Sequence, residues 1–437
     1  MRGFAAAAVA LLGAVAPGCG PRAPARPNVL LLVMDTTRAA RCSFLGYGRP
    51  TTPRLAEFAK DAVTFTDAWS PSGWTGTAHA SLFTGLNPGR HRYVAGGRTY
   101  LGTEFPTLAE VLARAGYATG CYSNNLLISQ EFGMVRGFQE VVPPRPAELR
   151  TYPWSRETHE QGAAWAQAQA KVGKPFFLFI NDMETHLPYT PLEPDQRALL
   201  RGDPSQGEIA AARGLEYERA LRYTLGGVDL TPRELGILSD LYDAELAALD
   251  REIGGLLDRL RKDGLLDSTL VVICADHGEN FGERRRLEHG PHDLHRTVRH
   301  VPLIVRFPKA FDGGRRVDSV VRLEDVMPTV LGVCGVTAPR GLDGAVLGAE
   351  PLARVSRAGE GADPREKKRF EDKAPGVDGT PMTIGIDAVF DGRHHLLEYS
   401  DGRVELFDVR SDPLEADNLA SREPEILGRM RELLRTR

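Results

Sequence analysis

The chain has 437 residues, of which 42% are hydrophobic and 26% charged, and its formal net charge is -4. That length allows one large α/β domain plus a smaller one, and the composition is that of a globular protein. The slightly acidic balance argues against nucleic acid as a main partner.

The N-terminus reads as a targeting segment. Arg2 precedes an apolar run over residues 4–15, and Ala16-Pro17-Gly18-Cys19 follows. This is similar to a secretory signal ending in a lipobox, with Cys19 lipidated after cleavage. A plainly cleaved signal or a short anchor is the alternative. The run is too short for a comfortable membrane span. Residues 1–19 are therefore expected to be the signal and 20–27 a tether, with membrane contact only through the lipid. The expected location is periplasmic or at the cell surface.

Val29-Leu30-Leu31-Leu32-Val33-Met34 is a continuous apolar run, predicted as a central parallel strand that ends at Asp35. Thr52-Pro53 opens a helix through Lys60, and residues 63–65 form a short strand. The stretch 73–85 follows, Gly-Trp-Thr-Gly-Thr-Ala-His-Ala-Ser-Leu-Phe-Thr-Gly. Thr75 stands where loop becomes helix, and Gly85 is a natural stop. A helix start turns free N–H groups toward a tetrahedral anion, and His79 shares the face of Thr75. Such a hydroxyl and imidazole suggest nucleophilic attack on a phosphate or sulfate ester. The plain alternative is an N-cap threonine with a surface histidine.

Further on, residues 105–115 read as a helix, 117–122 as a strand, 156–172 as a helix and 175–181 as a buried strand with His186 just beyond. Residues 191–230 read as an irregular insertion over the site. Thr231-Pro232-Arg233-Glu234 is a capping box that starts a long helix ending near Gly264. A strand over 269–275 delivers Asp276-His277. A strand over 302–307 and a helix over 324–336 follow. Residues 351–380 are charged and rich in Gly and Pro, with a basic run at Lys367-Lys368-Arg369, and read as a mobile surface loop, with a functional basic patch as the lesser alternative. Strands over 383–390, 394–399 and 404–409, then a helix from Pro424, complete an antiparallel α+β subdomain over 381–437. The fold class is thus α/β, a mainly parallel sheet flanked by helices, with this small subdomain at the C-terminus.

Cys42, Cys121, Cys274 and Cys334 have no metal-site spacing, and Cys121 and Cys274 fall in strand-like runs that favour buried thiols. Asp35, His186 and Asp276-His277 all fall just past the ends of apolar strands, where open parallel sheets bind ligands. Asp276-His277 with Asp35 is a plausible metal set, and mixed oxygen and nitrogen ligation admits Mg, Mn, Ca or Zn. His289, His292, His295 and His300 cluster downstream, and one of the first three could act as a base.

Several segments then occur in one order: NVLLLVMDTTR at 28–38, GRPTTPR at 48–54, the 75–85 stretch, GYAT at 116–119, HLPY at 186–189, LLDSTLVVICADHGENFG at 265–282, EHG at 288–290 and LFDVRSDPLEADNL at 406–419. Together they resemble the sulfatase family of the alkaline phosphatase superfamily, from Asn28 to about Asn418. The resemblance implies an alkaline-phosphatase-like catalytic domain over 28–350. It implies that Asp35, Asp276 and His277 hold one divalent cation, with Thr75 as nucleophile and its oxygen on the metal. His186 and His289 match positions that contact the anion or protonate the leaving oxygen. His79 takes the place of the signature arginine.

The departures shift the expected chemistry. Thr75 stands where the family has a cysteine or serine converted to formylglycine, and Thr77 and His79 replace the signature proline and arginine. Thr36 stands where a second metal-binding Asp is frequent, and Ser123-Asn124 replaces a signature lysine. These changes resemble a Thr-nucleophile branch of phosphotransferases and phosphodiesterases. The expected activity is hydrolysis or transfer on phosphate, phosphonate or sulfate esters of a small molecule, glycan or lipid. The alternative is an inactive, lipid-anchored binding protein.

Overall fold

In the computed structural model, residues 26–94, 97–144, 153–347, 356–360 and 364–435 are described. The signal-like segment, Cys19 and residues 20–25 of the tether lie outside them. No helix among the described residues is long and apolar enough to cross a membrane.

The main sheet begins with β1 (Asn28–Met34), β2 (Val63–Trp69), β3 (Ala118–Ser123), β4 (Glu140–Val142), β5 (Phe176–Asp182) and β6 (Thr269–Cys274). A small hairpin, β7 (Asn280–Phe281) and β8 (Leu287–Glu288), stands apart from it. β9 (His300–Arg306), β10 (Arg315–Val317) and β11 (Val321–Arg322) complete the sheet. Its order is β10-β2-β9-β6-β1-β5-β3-β4, with β11 beside β2. Pairing is parallel except at β9, which runs against both β2 and β6.

β1 is buried along its whole length because it lies mid-sheet between β5 and β6. Its side chains alternate between two cores. Val29, Leu31 and Val33 pack on the side of the Thr75–Thr84 helix, with Ala80, Leu82 and Phe83. Leu30, Leu32 and Met34 pack on the side of the long Pro232–Lys262 helix, with Leu241, Leu246 and Leu249. That helix starts on the capping box read from the sequence: Thr231 accepts from the Glu234 amide, and Glu234 accepts from the Thr231 amide.

The stretch 191–230 is not irregular. It forms three short helices, Glu193–Leu199, Gln206–Arg213 and Tyr217–Thr224. Ile209, Ala212, Leu215, Ala220 and Tyr223 bury against the long helix, and a Ser205/Glu208 capping box fixes the middle one. The described residues of 351–380 are likewise not all loop. They contribute β12 (Ser356–Glu360) and a helix, Arg365–Lys373.

β12 pairs antiparallel with β13 (Ile386–Phe390), which pairs with β14 (His394–Tyr399) and then β15 (Val404–Asp408). The Pro424–Arg435 helix covers one face of this sheet through Met430. The other face meets the main sheet, where Phe390 stacks on Trp69 at 4.1 Å. Arg299 is fully buried at this junction and donates to Ser70 O at 2.9 Å and to Ser356 Oγ at 2.8 Å. The four cysteines of the described residues are buried free thiols.

Candidate active site

Each candidate residue is delivered by the C-terminal end of a strand or by the helix start that faces those ends. Asp35 directly follows β1, and its amide donates to Asp182 O at the end of β5. Asp276 and His277 follow β6, and Thr75 is the first residue of its helix. Asp35, Asp276 and His277 are completely buried, and one ligand atom from each lies within 4.8 Å of the others.

Each side chain is held on one side and open on the other. Asp35 Oδ2 accepts from Asn125 Nδ2 at 2.6 Å and from Asn181 Nδ2 at 3.4 Å. Asp276 Oδ1 accepts from the amides of His277 at 2.8 Å and Thr36 at 3.2 Å. Asp35 Oδ1 and Asp276 Oδ2 have no hydrogen-bond partner. His277 Nδ1 donates to Gly278 O at 3.0 Å, so its Nε2 lone pair is the free one. That Nε2 lies 3.4 Å from Asp276 Oδ2, 4.0 Å from Asp35 Oδ1 and 3.1 Å from Thr75 Oγ1. Burial pushes the His277 imidazole down to about 3, helped by the nearby His289, and pushes the Asp276 carboxyl up. Two orphaned carboxylate oxygens and a neutral imidazole nitrogen converging without solvent fit a divalent cation.

Thr75 is not an N-cap. Trp74 takes that position without a side-chain cap, so the Thr75 hydroxyl is directed at His277 instead. Two glycines make the approach close. A Cβ on Gly73 would lie 2.5 Å from Asp293 O, and one on Gly76 would lie 2.8 Å from Tyr93 Oη.

Thr36 sits at a φ of 59°. Its hydroxyl donates to Thr185 O, and its carbonyl accepts from Tyr242 Oη at 2.9 Å. It shapes the turn after β1 and keeps its hydroxyl off the open carboxylate oxygens. His79 is completely buried. Its Nδ1 lies 3.0 Å from Thr75 O and 3.5 Å from Asp276 Oδ2, and its ring lies edge-on to Phe83 and Phe179. It is placed to position Thr75 and Asp276.

His186 and His289 meet at the open side of the site. Their ring centres are 5.0 Å apart, and His289 lies 4.3 Å from the His277 ring. His289 Nδ1 lies 3.2 Å from Glu279 Oε1, and Tyr189 Oη donates to Glu279 Oε2 at 3.1 Å. Burial pushes the Glu279 carboxyl up to about 7, against the lowering pull of His186 and His277.

The other three histidines of the downstream cluster have different surroundings. Both nitrogens of His295 are engaged, with Asp293 Oδ1 at 2.6 Å and Glu405 Oε2 at 3.0 Å. His292 is buried against the Phe370 ring, and burial lowers it to about 4. His300 donates to Thr66 O at 3.0 Å and lies against Trp69.

Asn125, Asn181, Glu279 and Tyr189 escape the sequence reading. Glu279 stands two positions after His277 in the same segment, and Tyr189 belongs to the HLPY element, so both were in view as motif letters. Nothing in the sequence marks Asn125 or Asn181 as partners of Asp35.

A mostly parallel sheet whose strand ends converge on two open carboxylates, an imidazole and a hydroxyl defines an ester hydrolase of the alkaline phosphatase-like superfamily. The fold matches the phosphonate monoester hydrolase of Agrobacterium radiobacter, with a TM-score of 0.73 and 22% identity over 94% of this chain and 95% of that one. The chain belongs to the sulfatase family, whose profile, Sulfatase, matches residues 27–336. A second profile, N-sulphoglucosamine sulphohydrolase, C-terminal, matches residues 288–436. Among curated proteins the chain is similar to an ulvan-active sulfatase of Formosa agariphila, at 23% identity over 91% of this chain and 77% of that protein. It is also similar to an N-acetylglucosamine-6-O-sulfatase of Bacteroides thetaiotaomicron, at 22% identity over 90% of this chain and 82% of that protein.

Proposed function

We propose that this protein is a hydrolase or transferase of phosphate-type esters, diesters or phosphonates above all, with Thr75 as the nucleophile and no formylglycine. The observation that carries the reading is the Thr75 hydroxyl, 3.1 Å from His277 Nε2, a nitrogen that itself lies 3.4 Å from Asp276 Oδ2 and 4.0 Å from Asp35 Oδ1. A divalent cation held by Asp35, Asp276 and His277 would lower the pKa of a nearby hydroxyl and offset charge on the ester. Ca, Mg, Mn and Zn all suit such a donor set in kind.

In the first step the Thr75 oxygen, its proton already released to solvent, bonds to phosphorus and the ester P–O bond breaks. The leaving oxygen takes a proton from His289 or His186 at the open side. Glu279 holds the His289 ring with Nε2 outward. The helix-start amides at Thr75 face the anion's oxygens. In the second step water attacks phosphorus in line, loses a proton to the same histidine, and the Thr75 oxygen leaves as the alkoxide that began the cycle.

The preference for phosphorus over sulfur follows from Thr75. A formylglycine hydrate expels sulfate by collapsing to the aldehyde, whereas a threonine ester has no second hydroxyl and must be opened from outside. The substrate is read as a small-molecule, glycan or lipid ester, met outside the cytoplasm by a protein tethered through Cys19. Kinetics on matched aryl phosphonate, aryl phosphodiester and aryl sulfate esters test the reading. The expected result is a higher kcat/KM for the phosphorus esters, lost in Thr75→Ala. A preference for the sulfate, also lost in Thr75→Ala, overturns it.

A further inference from the structure

Of the basic run at 367–369, Arg369 lines a cleft that the catalytic groups leave open. The run lies in the Arg365–Lys373 helix, which borders this cleft of about 310 Å³. Trp74 and His289, from the catalytic end, line the same cleft. Arg98, Arg365, Arg369 and Lys373 line it too.

The three helix cations recur at i, i+4 and i+8, so they form one ridge along the helix. Phe370 and Ala374 mark the buried face, and Phe370 packs on the His292 ring at a centroid distance of 5.5 Å. Lys367 and Lys368 fall outside the ridge, and Lys367 pairs instead with Glu371 and Asp378. The cleft has one carboxylate of its own helix, Glu366, which accepts from Arg369 at 2.9 Å. Arg98 pairs with Glu104, and Lys373 lies 4.7 Å above the Tyr217 ring. Like charges at four-residue spacing weaken an isolated helix, so helix stability does not account for the ridge. The lining of the cleft holds Arg98, Arg365, Arg369 and Lys373 against the single carboxylate Glu366.

We infer that this ridge is a subsite for a second anionic group on the substrate, a carboxylate, sulfate or phosphate carried apart from the ester attacked at Thr75. The inference rests on the catalytic reading above for the place of the attacked ester. It makes the preferred substrate a polyanion and assigns Arg365, Arg369 and Lys373 to specificity. His289, whose ring lies 4.3 Å from that of His277, lines the same cleft as the ridge, so one molecule can reach both.

The test compares two aryl phosphonate esters that differ by one carboxylate on the side away from the leaving group. The wild-type protein is expected to favour the extra carboxylate through a lower KM, and salt at about 0.15 M is expected to weaken that preference. In the triple variant Arg365→Gln, Arg369→Gln, Lys373→Gln the kcat/KM ratio between the esters is expected to fall roughly tenfold. The double variant Lys367→Gln, Lys368→Gln, on the same helix but off the ridge, is expected to keep the ratio. An unchanged ratio in the triple variant, with its melting temperature intact, overturns the subsite. Calorimetric titration with a short dextran sulfate separates the two readings. If neither ester turns over, binding of the polyanion that is lost only in the triple variant upholds the subsite and counts against the catalytic reading. Equal binding by both variants overturns the subsite whatever the turnover.

Discussion

The Thr75 hydroxyl lies 3.1 Å from Nε2 of His277, a histidine whose other ring nitrogen already donates to Gly278 O. The imidazole is therefore oriented before any ligand arrives. Thr75 is held from behind as well, because its carbonyl meets His79 Nδ1 at 3.0 Å. The hydroxyl and the open carboxylate oxygens are fixed by separate contacts, and each can be tested alone.

Removing the hydroxyl tests the nucleophile. Thr75→Ala is expected to lower kcat at least about a thousandfold, because no neighbouring group can form the same covalent adduct. Thr75→Ser keeps the oxygen and is expected to stay within roughly tenfold of the wild type. Trapping of a phosphorylated or phosphonylated Thr75 by mass spectrometry after rapid quench checks the same step directly.

Removing a carboxylate tests the cation. Asp276→Asn is expected to lose bound metal and turnover together, measured by elemental analysis and steady-state kinetics on one preparation. Full metal content with normal turnover would remove the site from consideration. Chelation of the wild type is expected to lower its melting temperature, since a ligand at 100 times its Kd stabilises by about 2.7 kcal/mol. The Asp276→Asn protein should show little further loss with chelator.

Glu279 is a positioning residue for His289, and leaving-group dependence can show it. Glu279→Gln keeps the shape but replaces the carboxylate that the His289 ring faces at 3.2 Å. The expected loss in kcat is about ten- to a hundredfold for esters with a poor leaving group. Activated nitrophenyl esters need less proton donation and should lose much less. An equal loss for both ester types would argue that Glu279 only supports the local fold.

Stability should also depend on pH through Glu324. Burial pushes its carboxyl up to about 7, against the opposing pull of Arg322 and Arg299. The folded state therefore keeps this proton over a range in which the unfolded chain, near 4.5, has released it. Its contribution favours folding below that range and is lost as pH rises toward 7. The slope can reach about 1.4 kcal/mol per pH unit for one proton. Glu324→Gln should flatten the fall in urea-derived stability between about pH 5 and 7. An identical slope in the variant would assign the dependence to other groups.

Much of the fold could be read because local pattern and tertiary role coincide. The apolar run of β1 is buried on both faces, and the Thr231 capping box starts the long helix as read. Thr75 at a helix start and Gly85 at its end are likewise where pattern puts them. The three helices over 193–224 were missed because their apolar residues are few, although the Ser205/Glu208 capping box was a usable signal. The Arg365–Lys373 helix buries only Phe370 among its side chains, so its composition reads as solvated loop. β12 is a strand because β13 pairs with it, not because Ser-Arg-Ala-Gly-Glu favours one.

The site shows the same division. Asp35, Asp276 and His277 could be found because ligands gather at strand ends. The burial of His79 could not, because helix spacing gives a shared face and not the layer that covers it. Asn125 reaches Asp35 across 90 positions, and no local rule links them.

The place of β1 in the sheet also sets when the protein can become an enzyme during its own synthesis. Its hydrogen-bonding neighbours are β5, which begins at Phe176, and β6, which begins at Thr269. The Thr36 amide meets Asp276 across 240 positions. At about 5–20 residues per second, a ribosome needs on the order of 10–50 s between making the first carboxylate and the second. Throughout that interval an apolar strand and the nucleophile's helix lack their partners, so the nascent chain depends on being shielded from aggregation. Long-range parallel pairing of this kind is slow to form. A truncation that stops before β6 should therefore be a client for chaperones or proteases, and should hold no cation however much is supplied.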